Sequence, residues 1–204
     1  MSLDIEPRHR HHGGGLPRWL EWVTAISALV VSVASIFIAI HNGEIENKML
    51  KANSFPYLIG GTSDATLEGQ ERISIDLLNN GVGPADERSL RMRLGDHYVT
   101  SVKDLIHTVV GPAEGDKAFS LLKAYKNGAY TRFIAPHDRG FVFRIDKTPE
   151  NARYWDMLDR ATSSPNWQVE YCYCSVFEEC WEVKKEVHTA VKACKRDEPH
   201  EFMP

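Results

Sequence analysis

Four cysteines carry the most chemistry this chain can offer, and all of them, Cys172, Cys174, Cys180 and Cys194, fall in the final third of its 204 residues. Alternation along VEYCYC places Val169, Tyr171 and Tyr173 on one face and Glu170, Cys172 and Cys174 on the other. CWEVK repeats the arrangement, with Trp181 and Val183 opposite Cys180, Glu182 and Lys184. The aromatic face is expected to be the buried one, which leaves three thiols on a polar face where inert core cysteines do not sit. Three uses compete. Cys174 and Cys180 flank the connection SVFEE and can meet across a hairpin, leaving Cys172 for Cys194. Four cysteines allow three pairings, and spacing does not choose among them. Such bonds fit an oxidising compartment, each contributing within the usual ~2–4 kcal/mol. Free thiols fit a cytoplasmic domain. A zinc site is the third use, but C-x-C-x5-C-x13-C lacks the usual C-x2-4-C pairs.

Other reactive side chains are scattered. His137-Asp138 sits in a turn signal, where such a pair can do acid–base chemistry or be solvated. His107 falls at the edge of an apolar helical face, and Asp76 and Glu87 read as outward strand or turn residues. Arg91, Arg93 and Lys103 form a small basic cluster that suits either solvent or an anionic partner. His9, His11 and His12 cluster in the leading tail without a second ligand set to fix a metal geometry. No G-x-S-x-G, H-E-x-x-H, phosphate loop or full G-x-G-x-x-G is present, so no catalytic, cofactor or metal residue is assigned.

The element that fixes the class lies elsewhere. Trp22 to Ile40, WVTAISALVVSVASIFIAI, holds no charge, glycine or proline. As a helix it is roughly 28 Å long, close to the ~30 Å hydrocarbon thickness of a bilayer. Thr24, Ser27, Ser32 and Ser35 are tolerable there because a helical hydroxyl can bond a carbonyl one turn back. Trp19 and Trp22 suit an interfacial aromatic belt. The run exceeds a typical signal h-region and no A-x-A site follows, so an uncleaved anchor is expected. Arg8, Arg10 and Arg18 precede it and Lys48 and Lys51 follow, which favours the N-terminus inside the cell membrane and the large domain outside the cytoplasm. Ala25, Ala28, Ser32, Ser35 and Ala39 share one helix face, either as a homodimer seam or as the small residues common in such spans.

The expected organisation is a flexible tail (1–17), a transmembrane helix (18–41), a juxtamembrane helix and linker (42–54), a β-sandwich-like domain (55–196) and a tail (197–204). Alternating strand patterns run through FPYLIGGT, ERISIDLLNNG, SLRMRLGD, the pair YTRFIAP and GFVFRID, and the pair WQVEYCYC and CWEVKKEV. Helical spacing appears in SVKDLIHTVVG, with Ser101 as N-cap and Gly111 as stop, continues through KAFSLLKAY, and returns in NARYWDMLDRA. The net charge of -4 offers no electrostatic footprint for nucleic acid.

NNGVGPA, at 79–85, follows an alternating strand, and APHDRGFVFRI later gives a turn and then a strand. Gly81 and Gly83 allow positive φ, and Pro84 prevents the strand from continuing. This pairing resembles immunoglobulin-like and fibronectin-like modules of bacterial surface proteins. The whole layout is similar to uncharacterised bacterial single-span membrane proteins with such a soluble domain. The resemblance implies a mainly-β, Ig-like sandwich with inserted helices, and carries no catalytic residues. The functional expectation is a membrane-anchored binding or sensing module, its partners the lipid bilayer, an unknown protein and a second copy through the helix. A membrane-anchored enzyme and a cytoplasmic-facing regulatory domain are the alternatives.

Overall fold

The computed structural model describes residues 17–65, 69–126 and 133–203. His9, His11, His12 and most of the expected leading tail lie outside them. The chain divides into two compact units, residues 1–49 and 50–204.

A single helix, α1 (Arg18–Asn53), runs without a break through the expected transmembrane and juxtamembrane segments. It is long and apolar enough to cross a membrane, and none of its apolar window is buried. A core helix of a water-soluble protein would bury that surface against its own chain. Ser32 Oγ donates to the Ala28 carbonyl and Ser35 Oγ to the Val31 carbonyl, both at 2.7 Å, so these hydroxyls are satisfied within the helix.

The second unit is mostly β. Its elements follow in order: β1 (Leu58–Ala65), β2 (Glu71–Asn79), β3 (Ala85–Leu94), β4 (His97–Val99), α2 (Val102–Val110), α3 (Pro112–Leu122), β5 (Tyr125–Lys126), β6 (Phe133–Ile134), β7 (Arg139–Asp146), α4 (Ala152–Thr162), β8 (Trp167–Cys174), β9 (Cys180–Lys184) and β10 (Val187–Val191). One sheet has the order β1-β2-β7-β5, the other β10-β9-β8-β3-β4, with β6 added to β3. Every pairing is antiparallel. Ile73, Ile75 and Leu77 of the first sheet, Leu90, Met92 and Tyr173 of the second, and Leu105, Ile106 and Leu158 of the helices bury into one core.

Several expectations change. β6 and β7 do not pair with each other: Ile134 meets Ala85 of β3, while β7 lies between β2 and β5. The two strands therefore serve different sheets across the Pro136 turn. The helical stretch after Ser101 breaks in two, because Gly111 at φ 92 ends α2 and Pro112 opens α3. KKEV does not extend β9, since Lys185 and Glu186 turn the chain into β10. Gly81 and Gly83 are absent from the positive-φ residues. They are required by proximity instead. A Cβ on Gly81 would lie 2.3 Å from Tyr57 N, and one on Gly83 would lie 2.0 Å from the Ser54 carbonyl. Asn79 holds this crossing together. Its Oδ1 accepts from Tyr57 N and Gly81 N, and its Nδ2 donates to the carbonyls of Gly83 and Ile134.

The segment after 196 is built into the domain rather than trailing from it. β8 occupies one edge of β3, while β6 and β4 pair with the two ends of the other. Glu201 and Phe202 fill the interval between them. Leu90 N donates to Glu201 Oε2 at 3.0 Å, Phe202 N donates to the Leu90 carbonyl at 2.8 Å, and both side chains are buried.

Candidate functional site

Among the described residues β1 is the outer strand of its sheet, and its outer edge turns toward β8. Gly60 N donates to Tyr171 Oη at 2.7 Å, and Tyr171 Oη donates to the Leu58 carbonyl at 2.9 Å. Leu58 and Gly60 therefore direct backbone groups away from β2. Alternation in an antiparallel ladder directs those of Thr62 the same way. Trp167 Nε1 donates to Thr62 Oγ1 at 2.9 Å.

Beside this edge lies a cleft of ≈ 470 Å³, within the size range of small-ligand sites. Gly60, Gly61 and Thr62 form one wall; Trp167, Val169, Tyr171 and the buried Val183 opposite it form the floor, and the exposed Lys185 and Glu186 the far rim. Glycine is required at position 60, because a Cβ there would lie 2.5 Å from Tyr171 Cε1. The rim is unusual. Lys185 and Glu186 both have positive φ, 49° and 64°, in a two-residue hairpin turn that Asn-Gly fills most readily. Positive φ at two consecutive non-glycine residues is costly and clusters at functional positions.

Behind the floor, Tyr173 is fully buried and stacks near Trp181, their ring centroids 5.6 Å apart. His188 lies flat on Tyr57 at 4.5 Å, with its Nδ1 3.1 Å from Tyr173 Oη. Burial pushes the Tyr173 phenol up to about 12 and raises Tyr171 as well, so both hydroxyls stay protonated and able to donate. Burial lowers His188 below the ordinary histidine range, favouring neutral imidazole.

The cysteines form a second cluster. Disulfides join Cys172 to Cys194 and Cys174 to Cys180. Cys172, Cys174 and Cys180 are buried, not presented on a polar face. The bond to Cys194 draws the chain after β10 onto that side of β8. The two bonds nearly touch, with Cys174 Sγ 3.7 Å from Cys194 Sγ. Cys174, Cys180 and Cys194 have sulfurs within 4.8 Å of one another, the spacing of a soft-metal site. Their oxidation leaves no thiolate to bind one.

The remaining candidates disperse. His137 and Asp138 are exposed in a turn, where His137 N donates to the Asn79 carbonyl. His107 packs on Gly115, where a Cβ would come within 2.7 Å of the ring, and its Nε2 lies 3.2 Å from Asp116 Oδ1. The expected basic cluster does not form. Arg91 is neutralised by Glu170 and Glu182, Arg93 bonds Gln168, and Lys103 pairs with Asp116. Asp76 is half-buried and accepts from Ser74 Oγ, while Glu87 is buried on a strand covered from both sides. Ala25, Ala28, Ser32, Ser35 and Ala39 are exposed along α1, as are Trp22 and Ile40 at the ends of the apolar run.

The cleft was not foreseen from sequence. Its one local signal is Gly60-Gly61 inside a strand pattern, which marks a close approach of another group. No protein-family model, curated protein or solved structure matches the chain.

Proposed function

We propose that this chain is a single-span membrane protein whose C-terminal domain lies outside the cytoplasm. There it binds an extended polypeptide segment as an added strand on β1. The observation that carries the reading is the outer edge of β1 beyond Gly60, whose N–H Tyr171 already satisfies: the outward backbone at Thr62 faces a cleft floored by Trp167 and Tyr171. An open edge offers main-chain hydrogen bonds to an incoming strand, and flanking pockets select alternate side chains. The apolar, exposed window of α1 supports the anchor. Two disulfides support an oxidising location, and the arginines before the span agree with it. The strand orders support an immunoglobulin-like sandwich: β1-β2-β7-β5 follows the A-B-E-D order, and β9-β8-β3 the G-F-C order.

The test uses the full chain in lipid nanodiscs with its disulfides intact, panned against a phage library of random hexapeptides. A selected peptide slows hydrogen exchange at the Thr62 amide. Thr62→Pro removes an outward N–H without touching the β1–β2 ladder, and Trp167→Ala removes the floor; each lowers affinity about tenfold. Absence of enrichment, or peptides indifferent to both substitutions, overturns the reading.

A further inference from the structure

We infer that the four cysteines form one thiol–disulfide exchange site, entered at Cys194 and discharged at Cys180. Three observations carry it. Cys194 is half-buried on the segment after β10, whereas Cys172, Cys174 and Cys180 are almost wholly enclosed, so an external thiol reaches the Cys172–Cys194 bond first. Lys192, Lys195 and Arg196 flank Cys194 and are exposed, and adjacent cations favour the thiolate, the reactive form. Cys194 Sγ lies 3.7 Å from Cys174 Sγ of the neighbouring bond, in van der Waals contact with the atom it would attack.

The exchange balances as follows. A dithiol attacks the Cys172–Cys194 bond and closes on itself. It leaves as a cyclic disulfide, having given two electrons and two protons to the protein. Cys172 and Cys194 become thiols. Cys194 loses its proton and attacks Cys174 Sγ. The Cys174–Cys194 bond forms, the Cys174–Cys180 bond breaks, and the electron pair leaves on Cys180, which takes up the proton. This second step needs no further oxidant or reductant. It replaces a bond between residues 6 apart by one between residues 20 apart, and the longer closure constrains the unfolded chain more. The product holds thiols at Cys172 and Cys180, with Cys194, the most accessible of the four, again oxidised. Reducing equivalents thus pass from the surface to the β8–β9 hairpin, and the matching external partner is a dithiol protein.

The experiment treats the full chain in detergent with limiting dithiothreitol, quenches with acid and labels free thiols with N-ethylmaleimide. Digestion without reduction, by trypsin and chymotrypsin, separates Cys172 from Cys174 at Tyr173. In the species with two labels, the site predicts label on Cys172 and Cys180 and a Cys174–Cys194 cross-link. Label on Cys172 and Cys194 with Cys174–Cys180 intact overturns it, as does label on Cys174 and Cys180. So does passage to four labels with no two-label species. The variant Cys172→Ser starts the second step without reductant: label shifts to Cys180 if the site operates and stays on Cys194 if it does not.

Discussion

The Tyr171 hydroxyl occupies the place of a missing strand beside Gly60, accepting its N–H at 2.7 Å while donating to the carbonyl of Leu58. A side chain from one sheet thereby satisfies the backbone edge of the other, and the absence of a Cβ at Gly60 gives the ring its room. Gly60→Ala forces a contact at 2.5 Å and is expected to cost ~1–3 kcal/mol. Gly61→Ala meets nothing within 4 Å, and its effect should stay within about 0.5 kcal/mol. Tyr171→Phe strands the Gly60 N–H at a cost of about 1–3 kcal/mol. Denaturant unfolding should show Gly60→Ala and Tyr171→Phe destabilised and Gly61→Ala close to the parent chain.

Glu201 anchors the C-terminal segment by accepting from Ser89 Oγ, Leu90 N and Asp197 N. Glu201→Ala leaves buried donors without acceptors and should destabilise the domain by roughly 2–4 kcal/mol. Glu198→Ala, on an exposed neighbour, should change stability by less than about 0.5 kcal/mol. Thermal melts of the two variants compare them directly.

The disulfides differ in the loops they close, 22 residues for Cys172–Cys194 and 6 for Cys174–Cys180. Chain-entropy arguments give the longer loop about 3 kcal/mol and the shorter about 2 kcal/mol. Paired serine substitutions at 172/194 should therefore lower the denaturant midpoint more than those at 174/180.

His188 makes stability depend on pH. Its folded-state pKa lies below the ordinary value near 6.5 because burial disfavours the charged ring. Below that value the unfolded chain binds the proton more readily. The His188 contribution is therefore complete above about pH 6.5 and is lost as pH falls toward the folded-state value. His188→Phe, which keeps a ring over Tyr57, should flatten the unfolding free energy between about pH 7 and pH 5.5. An unchanged slope would show that His188 does not set it.

What was legible in the sequence was periodicity. The apolar run 22–40, the alternation of Ile73, Ile75 and Leu77, and the Ser101 cap each write a local structure in a few residues. The turn at NNGVGPA was legible as a turn but not in its cause. Gly81 and Gly83 are small because the chain at 54–57 crosses them, which is a long-range fact. The same holds for the cleft, where Gly60 and Tyr171 are 111 residues apart. It holds equally for Glu201 and Phe202, whose burial depends on an interval along β3 that no local pattern announces.

Paired C-terminal reporters on the full chain, one active only outside the cytoplasm and one only inside, test the central claim most directly. The account predicts activity from the outside reporter alone, with the fusion held in the membrane fraction. Activity from the inside reporter, or an outside reporter released free of the membrane, would contradict it.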